Sequence, residues 1–202
     1  MSTLIRFGCV LLLCGTALAA RAPRASAENE LRACLGKANE ASAEAMKQFK
    51  QTVHETIAKK RPDLEAVSAL SRDVELLTVE QRAKRTAFLI ASDPKRLDTT
   101  HGWGLFMRLS WNGDDETALS ANDSAYGKIN EQLSALQAQK RDHPKREALQ
   151  AYLQKELSQT PEYAQAVAIQ IKQGEALEAG LRTCGAATEA AGNVRAKAKE
   201  AR

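Results

Sequence analysis

Residues 28–60 read ENELRACLGKANEASAEAMKQFKQTVHETIAKK, and apolar side chains recur there at intervals of mostly three and four residues. Together they form one stripe along a helix: Leu31, Cys34, Leu35, Ala38, Ala41, Ala45, Phe49, Val53 and Ile57. Lys, Glu, Gln and Asn occupy the opposite side. This spacing is typical of a long amphipathic helix that buries one face. We predict that helix over residues 28–60, with Pro62 either ending it or opening the next one.

The same period continues along the chain in several further stretches. A second stripe consists of Leu64, Val67, Leu70, Val74 and Leu77. Thr78 to Gln81 then match a capping box, so either a new helix begins at Thr78 or one helix continues to Ala91. Between residues 95 and 121 the helical period is lost. It returns over residues 126–136 and 149–157, with a stop at His143-Pro144.

A strong helix start, Thr160-Pro161-Glu162, precedes the last apolar face. That face is made of Tyr163, Val167, Ile171, Gly174, Leu177, Leu181 and Cys184. Aromatic residues are only 4% of the 202 residues, which argues against a β-sandwich or barrel, while 44% hydrophobic residues argue against disorder. The predicted fold is therefore all-α, a bundle of about four to five helices, some of them long, with one irregular aromatic-rich connection.

The N-terminal segment, residues 1–27, has the organisation of a secretory signal peptide. A short basic start is followed by the apolar run FGCVLLLCGTALAA, and cleavage fits after Ala19 or after Ala27. An uncleaved anchor and a lipid anchor at Cys14 are the alternatives. We expect an exported protein, periplasmic in a Gram-negative bacterium and secreted otherwise. Residues 28–192 then form a single helical domain without a membrane span, and residues 193–202 a basic tail.

Cleavage leaves two cysteines, Cys34 and Cys184, each on the apolar stripe of a long helix. In an oxidising compartment such a pair is most simply a disulfide, and antiparallel first and last helices bring both cysteines to one end of the bundle. Two buried thiols or an intermolecular bond are the alternatives. No C-x-x-C pair is present, so oxidoreductase chemistry lacks its motif.

The net charge of +4 comes from basic residues at the two ends of the chain, in residues 1–27 and 193–202. Residues 1–27 hold three arginines and no acidic residue, so removing them leaves 26 basic and 25 acidic residues. This balance indicates no basic surface for nucleic acid.

Motifs for catalysis and cofactor binding are absent from the sequence. There is no G-x-G-x-x-G, P-loop, G-x-S-x-G or H-E-x-x-H, and we assign no catalytic residue, cofactor or metal ligand. We interpret Asp114, Asp115 and Glu116 as helix-capping acids rather than as ligands of a hard cation. Asn122-Asp123-Ser124 is formally a glycosylation sequon, and more simply a helix cap.

The irregular connection contains both tryptophans of the chain. Trp103, Phe106, Met107 and Trp111 lie within nine residues. They either pack into one end of the bundle or bind a partner, since Trp is enriched at binding hot spots. We name these four as candidate partner-binding residues.

Leu77-Thr78-Val79-Glu80-Gln81, followed by Arg82, resembles the L-T-x-x-Q motif of small helical periplasmic stress and metal-resistance proteins, some of them chaperones. The resemblance covers this one motif, and Gln159 to Tyr163 departs from it at the Leu and Gln positions. It implies a stress or metal-resistance role in the periplasm.

Our first functional prediction is a non-enzymatic exported protein that binds another envelope or extracellular protein, as an adaptor, chaperone-like factor or inhibitor. The alternatives are the stress role that the motif implies, an envelope enzyme with a site assembled from Asp98, His101 and Asp114, and a bundle that carries a small apolar or metal ligand.

Overall fold

The computed structural model describes residues 22–97 and 111–200, with side chains described for residues 27–94, 96–97 and 111–184. Six α-helices and no strand occur in this part of the chain, and the all-α prediction is confirmed. The helices are α1 (Ala22–Lys60), α2 (Glu65–Ser92), α3 (Gly113–Asn122), α4 (Ser124–Asp142), α5 (Arg146–Lys155) and α6 (Pro161–Glu200). Short 3₁₀ turns occupy Pro62–Leu64, Pro94–Arg96 and Leu157–Gln159.

The second helix is continuous through Thr78, so one long helix continues past this residue and no new helix begins there. The Thr78 hydroxyl donates to the Val74 carbonyl oxygen at 2.8 Å, which is the bond of a threonine inside a helix rather than at its N-cap. α1 ends at Lys60, and Pro62 opens the 3₁₀ turn that leads into α2. Ser92 ends α2 just before Asp93 and Pro94, as predicted.

The predicted irregular stretch is too long at its C-terminal end, because α3 begins at Gly113. Asn112 starts this helix: its side chain accepts from the Asp115 backbone N–H at 2.9 Å, and its own N–H donates to the Asp115 carboxylate at 3.1 Å. The predicted capping role of the acidic run is thereby confirmed for Asp115. In ten residues α3 buries only one apolar side chain, Leu119, so it has no periodic apolar signal.

Side-chain caps also define the start of α4 and of α6. Asp123 accepts from the backbone N–H groups of Ala125 and Tyr126 at 3.0 and 3.1 Å, which confirms the cap predicted at this sequon. Thr160 accepts from the Tyr163 N–H at 3.3 Å, one residue before α6 begins at Pro161. α6 continues as helix to Glu200, through the first eight residues of the predicted basic tail.

α1 is the central helix, packed against α6 and against α2, and α2 in turn packs against α4. One apolar cluster, at the end of the bundle that holds the cysteines, contains Leu35, Leu89, Ile90, Leu97 and Leu181. A second, around the turn between α1 and α2, contains Ile57, Leu64, Val67, Leu149, Tyr152 and Leu157. Between them α1 buries polar side chains, among them Asn39, whose amide donates to the Ala83 carbonyl oxygen at 2.9 Å.

The predicted pairing of Cys34 with Cys184 agrees with the structure. The two sulfur atoms lie at disulfide-bonding distance, and the Cα atoms are 6.0 Å apart. The bond joins α1 and α6 as antiparallel neighbours near one end. The predicted apolar face of α6 is wrong at Ile171, which is 55% exposed. The buried line along this helix passes through Ala166, which was not part of the predicted face, and through Gly174, which was.

Candidate functional site: a groove between α1 and α6

Three of the four candidate partner-binding residues, Trp103, Phe106 and Met107, lie outside the described residues. Trp111 is described and is half-buried against the cysteine-end cluster. Its ring meets Phe88 edge-on at a centroid distance of 5.8 Å, and its indole N–H donates to Glu116 at 2.8 Å. Trp111 therefore helps to pack this end of the bundle.

Glu116 is the centre of a polar cluster that joins α2, α3 and α4. Its carboxylate accepts from Trp111, from the Tyr126 hydroxyl at 2.8 Å, from Arg85 at 2.9 Å and from Asn130 at 3.2 Å. The Arg85 guanidinium also lies over the rings of Trp111 and Tyr126, at 5.2 and 5.8 Å from their centroids. Burial raises the pKa of Glu116, but the hydrogen bonds and the Arg85 charge outweigh it, so this pKa lies below its ordinary value.

The other acids at this junction are paired as well. Asp115 binds the Arg96 guanidinium through two bonds of 2.8 and 2.5 Å, and Asp123 accepts from Lys84 at 2.6 Å. These bonds hold the pKa values of Asp115 and Asp123 below the usual range. Asp114 is exposed, and Asp98 and His101 lie outside the described residues. Among the side chains described, those of residues 27–94, 96–97 and 111–184, no group of three or more His, Cys, Asp or Glu could hold a metal ion.

The two histidines that are described belong to ordinary structural contacts. His54 Nδ1 lies 3.0 Å from the Ser68 hydroxyl oxygen, but Ser68 is only 2% exposed, so a substrate could not reach it as a nucleophile. His143 accepts from the Lys145 backbone N–H at 3.1 Å just after α4 ends, as expected of a helix-end residue.

An extensive concave surface runs between α1 and α6; we call it the α1–α6 groove. The half near the disulfide encloses about 540 Å³ and the other half about 460 Å³. Gln48 and Gln173 line both halves, so the two adjoin at these side chains. The groove ends at the Cys34–Cys184 bond on one side and at the Lys60–Glu162 ion pair of 2.8 Å on the other.

Small side chains form the floor of the groove near the disulfide: Ala38, Ala41, Ser42, Ala45, Ala176 and Gly180. A Cβ atom placed on Gly180 would meet no atom within 4 Å, which shows that the space beside it is open. In the other half Ile169 lines the groove and is 50% exposed. Ile169 therefore gives this half of the groove an exposed apolar surface.

The charges around the groove are of both signs and balance. Near the disulfide they are Lys37 and Glu44. At the other end they are Glu55, Lys59, Lys60 and Glu162, of which Lys60 and Glu162 are paired. That hydrogen bond raises the pKa of Lys60 and lowers the pKa of Glu162. The groove therefore has a floor of apolar and amide side chains, and charged side chains of both signs lie along its edges.

Sequence reasoning missed this groove although its residues are visible in the sequence. Ala38, Ala41 and Ala45 are part of the stripe that we expected to be fully buried, and α2 covers only one side of it. The signal that could have identified the groove is the run of small residues at helical spacing on both α1 and α6.

Comparison of the chain with known protein families, with curated proteins and with solved structures gives no match. The likeness to the L-T-x-x-Q motif accordingly stays a prediction. In the structure this motif lies inside α2, and the Gln81 amide donates to Asn130 at 2.7 Å. None of the described helices is sufficiently long and apolar to cross a lipid bilayer.

Proposed function

We propose that this protein is exported, non-catalytic, and binds another protein through the α1–α6 groove, where a helix of the partner packs between α1 and α6. The observation that carries the proposal is the groove itself: it is open, small side chains line the half near the disulfide, and the exposed Ile169 lines the other half. The disulfide between α1 and α6 supports an oxidising compartment.

The shape of the groove favours a helix as its occupant. Two antiparallel helices present side-chain ridges at the spacings into which a third helix packs, and small residues permit an axis separation of about 8–10 Å. Cys34 and Lys60 line its two ends, and at 1.5 Å per residue this part of α1 is about 39 Å long. A partner helix of about 25 residues matches that length.

The chemistry of the groove further defines the partner helix. Large apolar side chains three and four residues apart would fill the space above Ala41 and Ala176. Charged side chains of both signs on either side of that stripe would complement the rims, where Lys37 and Glu44 lie at one end and Glu55 and Lys59 at the other. An adaptor, chaperone-like factor or inhibitor would use such a surface.

Site-specific photo-crosslinking in the intact exporting cell tests this function. A photoreactive residue at Gln173 or Ala176 lies in the groove, whereas one at Glu175 lies on the exposed part of the same helix. We expect the groove positions, and not Glu175, to crosslink to one partner segment with apolar residues three and four apart. Equal crosslinking at Glu175, or crosslinks only to a second copy of this chain, would contradict the proposal.

Blocking variants separate loss of binding from loss of folding. Gly180→Trp fills open groove space without displacing an atom within 4 Å of the new Cβ, so helicity and melting temperature should stay unchanged while the crosslink is lost. Ala179→Trp, at the adjacent exposed position, is the matched control and should keep the crosslink. An undiminished crosslink in Gly180→Trp would rule out the groove as the site.

The aromatic segment remains a second predicted contact for the same partner. Trp103→Ala and Phe106→Ala should weaken the crosslink at Gln173 without changing helicity, since Trp is enriched at binding hot spots. Trp111 is unsuitable for this test, because its bond to Glu116 makes it part of the fold.

A further inference from the structure

A smaller cavity of about 210 Å³ lies where α1, α2, α5 and the start of α6 meet. We call it the His54 cavity, after the histidine of α1 that lines it. Its lining combines apolar side chains, mainly from α1 and α5, with polar and charged side chains from α1 and α2. Phe49 lines both this cavity and the α1–α6 groove.

The floor of the His54 cavity is apolar and firmly packed. Ile57, Leu149 and Leu157 are 2%, 3% and 2% exposed and belong to the cluster at the turn between α1 and α2. Leu153, in contrast, is 36% exposed although it lines the same cavity. An apolar group placed over this floor would cover Leu153 and lose its own contact with water, which favours binding.

The size of the cavity and the rings that line it favour an aromatic ligand. An apolar cavity of about 150 Å³ holds one benzene ring. At about 210 Å³ the His54 cavity has room for a ring with a short substituent. Phe49 and Tyr163 line it, with ring centroids 6.1 Å apart and ring planes inclined by 56°. Aromatic rings favour such tilted neighbours, so a ligand ring gains contacts here that an alkyl chain does not.

The two cations of the lining are already paired with carboxylates. Lys50 forms an ion pair with Glu75, and both side chains line the cavity. Arg72 donates to the neighbouring Asp73 through Nε at 2.9 Å and through Nη2 at 2.7 Å. The four side chains are between 24% and 43% exposed, so both pairs are partly shielded from water. The described lining therefore presents no uncompensated charge.

An uncharged ligand fits this arrangement better than an ion does. A carboxylate would meet Glu75 in the wall, and an ammonium group would meet Lys50 and Arg72. Further carboxylates act on His54 from nearby: Glu65, Asp73 and Glu55. An ionic ligand would lose part of its hydration and would gain a partner only by breaking an existing ion pair, which costs free energy.

His54 supplies one hydrogen-bonding position beside the apolar floor. Its Nδ1 lies 3.0 Å from the Ser68 hydroxyl oxygen, which leaves Nε2 as the ring nitrogen for a ligand. Burial, followed by the nearby Arg72, lowers the pKa of His54, so the ring is mostly neutral at pH 7. In a neutral ring Nε2 either donates or accepts, depending on the tautomer. A hydroxyl group can do both, so it complements Nε2 in either tautomer.

We infer that the His54 cavity binds a small uncharged aromatic alcohol, a single ring with one hydroxyl group on a short arm. The ring lies over Leu149, Leu153 and Leu157, and the hydroxyl contacts His54 Nε2. This site does not depend on the protein-binding function of the α1–α6 groove.

Titration of the full mature protein with three ligands of one shape tests the charge. At pH 7.5, 2-phenylethanol, phenylacetate and phenethylamine share a ring and carry no, a negative and a positive charge. By NMR we expect saturable shifts of the Ser71 and Leu153 amides with 2-phenylethanol below about 10 mM, and binding about tenfold weaker for both ions. Equal binding of the three ligands, preference for either ion, or no saturable binding would overturn the inference.

A variant that breaks one ion pair tests why the uncharged ligand is preferred. Glu75→Gln removes the carboxylate partner of Lys50, so phenylacetate should gain at least about threefold relative to 2-phenylethanol. Glu147→Gln, at a side chain that is 88% exposed, is the matched control and should keep the original ratio. An unchanged ratio in Glu75→Gln would contradict selection by paired charges.

Two further substitutions locate the ligand. Ser71→Leu narrows the cavity and should weaken 2-phenylethanol with helicity unchanged, whereas Ser134→Leu, at an exposed position of α4, should not. His54→Leu should weaken it by about threefold to tenfold, the loss of one hydrogen bond, and His54→Gln should retain most of the binding. Unchanged binding in Ser71→Leu would show that the ligand binds elsewhere, and unchanged binding in His54→Leu would rule out the hydroxyl contact.

Discussion

The Glu116 carboxylate joins three helices because four donors from α2, from α4 and from Trp111 converge on it. A carboxylate that is partly removed from water is stable only when such donors replace its hydration. Its sequence neighbours Asp114 and Asp115 differ from it: one is exposed, and the other caps its own helix and binds Arg96.

Replacing Glu116 by Gln should lower the free energy of unfolding by about 1–3 kcal/mol, because charge-assisted hydrogen bonds are lost and the Arg85 guanidinium keeps no charged partner there. Denaturant unfolding followed by circular dichroism measures the change. Glu147→Gln, at a side chain that is 88% exposed, is the control and should leave the midpoint unchanged. An unaltered midpoint in Glu116→Gln would show that the cluster contributes nothing to stability.

His54 should make stability depend on pH near neutrality. Burial, with Arg72 second, lowers its pKa in the folded protein from the ordinary 6.5, against the opposing charges of Glu65, Asp73 and Glu55. As the pH falls below 6.5, the unfolded chain binds a proton that the folded protein does not, so folding becomes less favourable.

We therefore expect the free energy of unfolding to fall between about pH 7 and about pH 5, and His54→Gln to reduce that fall. Unfolding curves at several pH values measure it, and His143→Gln is the matched control. A pH dependence that is the same in His54→Gln and in the unsubstituted protein would contradict the prediction.

At the scale of elements, the packing of the bundle depends on α1, because this helix contacts both α6 and α2. Its contact with α6 combines an apolar cluster that contains Leu35 and Leu181 with the small and polar side chains that line the groove. The disulfide adds a covalent link to this contact. It closes a loop between two cysteines that are 150 residues apart in the sequence.

Changing Cys34 and Cys184 together to Ser should destabilise the protein by about 3–5 kcal/mol, since the unfolded chain regains the entropy of a long open loop. Comparison of unfolding midpoints for the double variant and the oxidised protein tests this. Reductant should lower the midpoint of the unsubstituted protein and leave that of the variant unchanged. A variant as stable as the oxidised protein would mean that packing alone holds α6 on α1.

At the scale of the whole molecule, the export that we propose would account for both the N-terminal segment and the disulfide. Expression of the full chain in an exporting host, followed by N-terminal sequencing, should show a mature protein that begins at Ala20 or at Glu28. Either cleavage retains every apolar residue of α1 from Leu31 onward, so the fold is compatible with both. An uncleaved chain recovered from the cytoplasm would contradict export.

Several features could be predicted because they depend on neighbours along the chain. The caps at Asp123 and Thr160 use hydrogen bonds within three residues, and the stripe of α1 follows from helical spacing. The start of α3 was missed since its capping residue, Asn112, lies at the end of an aromatic stretch without period. Ile171 was misplaced because small residues, and not this large one, lie on the side of α6 that faces α1.

The sequence by itself determined the helical class, the ends of α1, α2 and α4, and the pairing expected of Cys34 with Cys184, since periodicity, capping and cysteine number are local or countable properties. Only the tertiary structure decided that Glu116 is the centre of a polar cluster, that a groove runs along α1 and α6, and that His54 lines a cavity. Each of these depends on which side of a helix is left uncovered by another helix. Packing between residues far apart in the chain decides which side is left uncovered.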